Sequence, residues 1–439
     1  MEGLVSTMRS FFPHQSSISI SRLIVLLVYS FSSQFLPIEP YLVPYYTSVK
    51  HFSDSQVAID IFPFGVYAQL IFTLLMAPTC FYLSHKVVIV LGAFGILITY
   101  LIIWCGQSLL AMQMSQISYG FGMAARLVFS SYIFLLVPEE EYQRMTSLTT
   151  TASLLSFMLA SELSQLLVLV KFSYSIFLGL TLTSLGICCI TAFLLAKDRP
   201  SSLFYSSVTA SWGQHEGWIR LLKETWKGRK LQILSLWWAL AYAGFSLVQT
   251  YGTNLFDVID SKSKFNGHVL AASQAAGSLG SVCAIYLEQF TIKSGVVIYV
   301  IGSAAMCIVC LSMGLWAKIW VAYFLYVVIS GIYQTLTCLV SVHCGRLLTN
   351  RQFILLFSVN NFAGLLLETL LQAAVEISEL SISTQFVCFA GFFLLATVIF
   401  IALFFSGDDD GKSKNDSSLI SQDDEPGPLI LEKEDEALF

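Results

Sequence analysis

Twelve apolar stretches, each long enough to cross a lipid bilayer, constrain the fold of this chain more than any other feature. A transmembrane helix needs about 20 mostly apolar residues. Inside a bilayer every backbone polar group must be bonded within the protein, so such stretches fold as helices. Charged residues make up only 12% of the chain, which is about half of their share in soluble proteins. We therefore predict an all-α polytopic membrane protein.

The predicted spans follow one another with mostly short connections. They are residues 21–46, 58–83, 87–107, 111–137, 146–170, 174–196, 231–256, 266–290, 295–315, 318–343, 353–376 and 382–406. One longer polar connection divides them into two sets of six. The resulting plan is an N-terminal segment 1–20, a first half 21–196, a central loop 197–230, a second half 231–406 and an acidic, disordered tail 407–439. Two six-helix halves are typical of major-facilitator carriers, which rock about a binding site near the midplane.

The distribution of lysine and arginine predicts the orientation in the membrane. Of the 23 basic residues, seventeen fall in segments that share one side with both termini. The opposite side holds only five, namely Lys50, Lys171, Lys262, Lys264 and Lys318. Because basic residues concentrate in cytoplasmic loops, we predict that both termini and the central loop are cytoplasmic.

Three charged residues lie near the middle of apolar spans, and Glu162 is a fourth, weaker case. They are Glu39 in the first span, Arg126 in the fourth, Glu162 in the fifth and Glu368 in the eleventh. A charge at the bilayer centre costs about 2.5–3.5 kcal/mol on the insertion scale, and the default interpretation of such a residue is functional. The four positions are therefore the first candidates for a binding site.

The charge in the first span lies within a run of helix breakers. Glu39 is placed between Pro37 and Pro40, and neither proline can donate to the helix ladder. Broken backbone at membrane depth is tolerated where it lines a cavity, so we expect Glu39 to face one. The alternative is a kinked structural helix in which Glu39 is buried in an ion pair with Arg126. For Arg126, an ion pair that holds helices together and a direct contact with cargo both stay open.

The sequence contains no motif of an enzyme or a primary pump. No span carries H-x-E, HExxH, GxSxG or a P-loop, and the ten cysteines lie mostly inside apolar runs without metal spacing. We therefore expect no enzyme activity, no cofactor, no metal and no nucleic-acid partner. A channel would need rings of charge or a filter repeat, and the chain has neither. The expected partners are the lipid bilayer, a small-molecule cargo and a coupling ion or counter-anion.

Dispersed motifs, in the right order, resemble a known family. "PIEPYLVPYY" is similar to the first-span motif of the reduced-folate-carrier family, which also holds the thiamine transporters. Further matches are "DIFPFGVYAQL", "YGFGMAARLVFSSYIFLLVPEEEYQR", "LSLWWALAYAGF", "FNGHVLAAS", "SGIYQTL" and "FSVNNFAGLLLETL", which look like the family's spans 2, 4, 7, 8, 10 and 11. The resemblance covers about residues 21–405. It implies a twelve-helix major-facilitator fold and a plasma-membrane carrier of a water-soluble vitamin.

Individual residues within the resemblance also indicate which kind of cargo is carried. Glu39 matches the family's first-span glutamate, and Arg126 matches a position where folate carriers have arginine and thiamine transporters have glutamate. Folates end in a glutamate with two carboxylates, which an arginine suits, whereas thiamine is a cation. However, Ser330 and Glu368 stand where folate carriers have arginine and lysine, and Gly65 stands where thiamine carriers have an aromatic residue. Neither pattern is complete.

We therefore predict a secondary vitamin transporter that works by alternating access. The candidate substrate-binding residues are Glu39, Arg126, Phe129, Ser246, Tyr251, Ser330, Gln334 and Glu368. Glu39 is expected to accept hydrogen bonds and to carry a proton, Arg126 to bind an anion, and Phe129 to form an apolar wall. The residues favour a folate-like or other anionic, ring-bearing cargo. A thiamine transporter and a transport-inactive vitamin sensor remain alternatives.

Overall fold

Twelve helices form a bundle in the described part of the protein. The computed structural model describes residues 19–196, 216–260, 265–294, 297–316, 318–348, 352–378 and 380–419. We number the helices long and apolar enough to cross a membrane as spans 1 to 12. Their bounds are Ile20–Ser48, Gln56–Leu83, His85–Cys105, Leu109–Leu136, Glu139–Leu169, Tyr174–Leu194, Arg229–Ile259, Asn266–Thr291, Val297–Leu315, Ile319–Leu347, Phe353–Ile377 and Ile382–Ala402. The predicted polytopic, all-helical fold is confirmed, and the bounds lie within a few residues of the prediction except at the start of span 5.

Spans 1, 2 and 5 each contain a short segment that is not α-helical. Span 1 is a helix over Ile20–Gln34, a 3-10 turn over Glu39–Tyr41 and a short helix over Leu42–Ser48. Span 2 begins with a π-turn over Gln56–Ile61, and span 5 begins with a 3-10 turn over Glu139–Glu141. Only the break in span 1 falls inside a membrane crossing, at the two prolines identified from the sequence.

The two halves repeat the same packing scheme. In the first half, span 3 packs against spans 4 and 6, span 2 against span 4, and span 1 against spans 5 and 6. In the second half, the corresponding spans six places later make the same contacts. Contacts between the halves are also paired: span 5 packs on span 8 and span 2 on span 11. The chain therefore folds as two related six-helix halves around a central interface.

Small residues bring spans 5 and 8 together across this interface. Thr151 Oγ1 donates to the Ser278 carbonyl at 3.4 Å, and Ser278 Oγ donates back to the Thr151 carbonyl at 3.5 Å. A side chain added at the neighbouring Gly277 would lie 3.2 Å from Leu154 and 3.0 Å from Gln334. Small side chains at helix contacts let two backbones approach closely.

The end of the bundle where span 1 begins, which we call the terminal face, is closed by aromatic rings. Phe134 of span 4 stacks on Phe353 of span 11 with ring centroids 5.3 Å apart, and Tyr142 of span 5 lies 4.7 Å from Phe134. Arg346 of span 10 adds ion pairs to Glu288 of its own half and to Glu139 of the first half. The two halves are therefore in firm contact at the terminal face.

At the opposite face the contact between halves is polar and exposed. His268 Nδ1 lies 3.1 Å from the Glu162 carboxylate, and the two side chains are 49% and 40% exposed. Exposed ion pairs contribute little to stability, about 0–1 kcal/mol. The charge at Glu162, one of the four identified from the sequence, therefore belongs to a contact between spans 5 and 8.

The connections between the halves and after span 12 are partly described. A helix over Glu216–Thr225 is fixed to the second half, because Thr225 Oγ1 donates to Gln352 Oε1 at 3.0 Å. The last helix runs from Ile382 to Leu419. The division at residue 407 between span 12 and an acidic tail stays a prediction. Residues 1–18, 197–215 and 420–439 lie outside the described residues.

Lys50 closes the end of span 3 at the opposite face. Its Nζ donates to the carbonyls of Trp104 and Gly106 at 2.9 and 2.6 Å, although the residue is only 7% exposed. A cation at a helix C-terminus is also stabilised by the negative end of the helix dipole. We expect Lys50→Met to lower the free energy of unfolding by about 1–3 kcal/mol, measured by thermal unfolding in detergent. The exposed Lys171, replaced by Met, is the control, and an equal melting temperature for both variants would contradict this role.

Candidate functional site

The break in span 1 leaves backbone carbonyls that its own helix cannot bond. The first helix ends at Gln34, shortly before Pro37, and the last carbonyls of a helix have no partner within it. Side chains of spans 4, 5 and 6 donate to carbonyls in the last turns of this helix, of which Phe31 O also accepts from Phe35 N of its own span. Ser153 Oγ donates to Ser30 O at 3.3 Å, Ser156 Oγ to Phe31 O at 2.5 Å, Ser184 Oγ to Ser32 O at 2.9 Å and Arg126 Nη2 to Ser33 O at 2.8 Å. Side chains of three neighbouring spans therefore stabilise the break in span 1.

Glu39 follows the break and is bonded by two tyrosines. Its carboxylate accepts a hydrogen bond from Tyr100 of span 3, and its Oε1 accepts one from Tyr119 of span 4 at 3.2 Å. Tyr100 is 1% exposed, so its hydroxyl is withdrawn from solvent. Hydrogen bonds to a charged acceptor are about twice as strong as neutral ones. The half-buried Glu39 is thus stabilised by neutral donors.

Arg126 makes a single described hydrogen bond. The guanidinium donates to Ser33 O, where a cation is favoured because the helix dipole ends there. Among the residues that the structure describes, no carboxylate lies within ion-pair distance of Arg126. The ion pair between Glu39 and Arg126 that we considered from the sequence is therefore not formed. Arg126 caps the broken helix and keeps most of its donors.

A second carboxylate, Glu368 of span 11, lies among hydroxyl groups in the second half. Ser246 of span 7 lies close to this half-buried carboxylate. Tyr242 of span 7 and Tyr333 of span 10 are also in its neighbourhood. One turn earlier, a side chain at Gly364 would lie 2.9 Å from the Tyr242 ring, so the glycine permits this close approach. Of the predicted residues, the structure brings Ser246 and Glu368 together.

The other predicted residues lie in packing positions around these two groups. The ring of Phe129 is 4.5 Å from that of Tyr29, and Phe129 is 8% exposed. Tyr251 packs 5.9 Å from Phe389 of span 12. These contacts bury both rings against neighbouring helices. Their contact with cargo stays a prediction.

Ser330 and Gln334 share span 10 but have different surroundings. Ser330 is 2% exposed, and its hydroxyl donates to the carbonyl of Tyr326 in its own helix at 3.0 Å. Gln334 is half-buried beside Gly277 of span 8. A hydroxyl bonded to its own helix is less available to cargo than a free amide. Gln334 is thus the stronger of the two candidates.

Four tyrosines of the site were not predicted from the sequence. Tyr119 lies seven residues before Arg126, which is two helical turns and the same face, and Tyr242 lies four residues before Ser246. This spacing could have identified both. Tyr333, three residues after Ser330, has the same signal, whereas Tyr100 had none, because its role depends on which helices become neighbours.

Comparison with known proteins places this chain in a family. The family model described as "Reduced folate carrier" matches residues 19–217 and 211–388. This chain belongs to the reduced folate carrier family. Both groups of site residues, around Arg126 and around Glu368, lie within the matched ranges.

Relatives of this reduced folate carrier family member include both vitamin specificities. Human thiamine transporter 2 is 25% identical over 438 residues, covering 86% of this chain and 88% of its own length. The rat reduced folate transporter is 27% identical over 413 residues, covering 86% and 80%. The crystal structure of the human organic anion transporter MFSD10 aligns with a TM-score of 0.64, covering 86% of this chain and 96% of that one at 15% identity, so it bears on the fold alone.

The family and the fold together support the main predictions. The resemblance noted in the sequence and the major-facilitator-type fold are confirmed. The predicted function, a vitamin transporter, is confirmed at the level of the family. Family and fold also indicate a multi-pass membrane transporter rather than an enzyme.

Proposed function

We propose that this chain carries an anionic, ring-bearing vitamin of the folate type across the plasma membrane by alternating access. The observation that best supports this proposal is that the Arg126 guanidinium has no counter-ion in the part of the chain that the structure describes. Its guanidinium bonds one backbone carbonyl and has no carboxylate partner among the described residues. Arginine has five N–H donors in a planar fork that matches a carboxylate. A carboxylate of the cargo is the partner that this group lacks.

The closed terminal face supports a direction of access. Buried aromatic rings join the halves at that face, whereas the opposite face is joined by the exposed pair of Glu162 and His268. Cargo in this state reaches the interface between the halves from the opposite face. With both termini cytoplasmic, that face is extracellular, and rocking of the halves would then open the terminal face to the cell interior.

Thiamine is the second candidate, and a specific feature favours it. Glu39 and Glu368 place two carboxylates against the single cation of Arg126 in the region of the interface. Two carboxylates suit a cationic vitamin, and one relative of this chain is a thiamine transporter. Against this, Glu39 already has two hydroxyl donors, while Arg126 has no counter-ion in the described structure. The balance therefore favours an anion.

Transport and binding must be measured on the same preparation, because a transport-inactive sensor would bind cargo without moving it. We expect purified protein in liposomes to exchange labelled reduced folate in a counterflow assay and to bind it in detergent. Labelled thiamine is the parallel cargo, and empty liposomes are the control. Binding of folate without counterflow would identify a sensor, and exchange of thiamine alone would reverse the proposed selectivity.

The proposed orientation has a direct test. Epitope tags at the N-terminus and within residues 201–210 are expected to react with antibody only after cells are permeabilised, because seventeen basic residues lie on that side. A tag in the connection at residues 261–264 is the control and should react with intact cells. Labelling of the central loop in intact cells would contradict the orientation.

Removing the carboxylate of Glu39 is expected to reduce uptake strongly. We predict that Glu39→Ala lowers folate uptake by about tenfold or more at matched surface expression, because Tyr100 and Tyr119 lose a charged acceptor. Glu39→Gln should keep binding and alter the pH dependence if this group carries a proton. Asp54→Ala, which removes an exposed carboxylate from the connection between spans 1 and 2, is the control. Wild-type uptake by Glu39→Ala would show that Glu39 is incidental.

A further inference from the structure

Two opposite charges lie in one region of the first half without forming an ion pair. Glu39 is bonded by Tyr119, which lies two helical turns before Arg126 on the same face of span 4. Arg126 bonds Ser33 O, six residues before Glu39 in span 1. Within the described residues, however, Arg126 donates only to Ser33 O, and no ion pair joins it to Glu39. Charges withdrawn from water are costly unless they are paired and hydrogen-bonded. Some other interaction must therefore hold the carboxylate where it is.

The two tyrosine hydroxyls supply that interaction. Tyr100 donates to Oε2 of Glu39, and Tyr119 donates to Oε1. Both carboxylate oxygens thus have a neutral donor, and neither needs the guanidinium. Tyr100 comes from span 3 and Tyr119 from span 4, so the packing of these two helices fixes where the carboxylate lies. Arg126 is held from the other side by the Ser33 carbonyl.

We propose that Tyr100 and Tyr119 are positioning residues that hold Glu39 apart from Arg126 and so keep the guanidinium available for an anionic group of the cargo. The inference rests on the proposed function for its consequence in transport. It goes beyond that function because it assigns the choice between an anionic and a cationic cargo to two neutral side chains. A site in which Glu39 and Arg126 paired would present no free cation.

Removing both hydroxyls should let the internal ion pair form. In Tyr100→Phe/Tyr119→Phe the carboxylate loses its two donors, and Arg126 becomes the strongest donor nearby. We expect the KM for reduced folate to rise about tenfold, while the maximal rate stays within about threefold of the parent. Each single variant should give a smaller rise. Tyr323→Phe is the matched control, since it loses a hydroxyl that donates to Asn266 at 2.6 Å in the second half.

A rescue separates this role from a merely structural one. Adding Glu39→Gln to the double variant removes the charge that would capture Arg126. We therefore expect the triple variant to recover a folate KM closer to that of the parent. If the tyrosines only support packing, the third substitution will not restore the KM, and the proposal is overturned.

A second readout needs no cargo and so is independent of the proposed function. Structures of the parent and of Tyr100→Phe/Tyr119→Phe should be determined by cryo-electron microscopy in the same detergent. We expect the carboxylate of Glu39 to lie within about 4 Å of the Arg126 guanidinium only in the double variant. If the two groups stay apart without the tyrosine hydroxyls, the positioning role is wrong, whatever the protein transports.

Discussion

Reversing the charge at residue 126 is expected to lower reduced-folate uptake about a hundredfold. Arg126→Glu replaces a charge-assisted contact, worth about 1.5–3 kcal/mol, with repulsion between two carboxylates, and each 1.4 kcal/mol is a factor of ten in affinity. Selectivity should move toward cationic thiamine, because three carboxylates would then face the interface between the halves. The measurement is paired initial uptake of labelled folate and thiamine at matched surface expression.

Two further variants separate charge from helix capping at this position. Arg126→Lys keeps the charge but loses the planar fork, so we expect an intermediate loss of folate uptake. Arg126→Gln keeps an N–H donor near the Ser33 carbonyl and removes the charge. If Arg126→Gln takes up folate as well as the parent does, Arg126 only caps the broken helix, and the cargo is recognised elsewhere.

Converting the carboxylate of span 11 to an ammonium group is expected to raise affinity for reduced folates about tenfold or more. Glu368→Lys adds two units of positive charge beside Ser246, Tyr242 and Tyr333. A desolvated contact with a charged group is worth about 1.5–3 kcal/mol, which corresponds to this factor. Lysine is also the residue type that the resemblance to folate carriers leads us to expect at this position. The measurement is the KM for labelled reduced folate at matched expression.

The control for this variant lies on the same helix. Glu376 is two turns further along span 11 and exposed, and it accepts a hydrogen bond from Gln372 at 3.2 Å. Glu376→Lys makes the same change in net charge farther from Ser246, in the neighbourhood of Tyr251, and should change the KM for folate much less than Glu368→Lys does. Equal effects of the two substitutions would show a general electrostatic response of the surface. No effect of Glu368→Lys would make Glu368 a packing residue.

The sequence predicted the spans well because their length is set by the bilayer and recorded in the apolar runs. Span 11 was expected at 353–376 and is observed at Phe353–Ile377. The break at Pro37 and Pro40 was also predictable, since proline removes a hydrogen bond wherever it lies in a helix. The start of span 5 was missed because Glu139–Glu141 forms a polar 3-10 turn that continues into the helix.

The partners of the charged residues could not be predicted in the same way. An arginine in an apolar span requires an acceptor, but the sequence does not say whether that is Glu39 or a freed carbonyl such as Ser33 O. Tyr100 gave no signal because span 3 carries no charged residue within two turns of it that would mark a face. Such pairings depend on which helices become neighbours, and periodicity within one helix does not contain that information.

The most direct test of the central claim is the ratio of reduced folate to thiamine taken up by the unmodified chain in one cell line. Labelled cargo is offered singly and in competition, with untransfected cells as the background. We expect saturable folate uptake that excess unlabelled folate abolishes and excess thiamine leaves intact, because Arg126 offers its free donors to a carboxylate. Saturable thiamine uptake without folate uptake would contradict it and would show that Glu39 and Glu368 recognise the cargo.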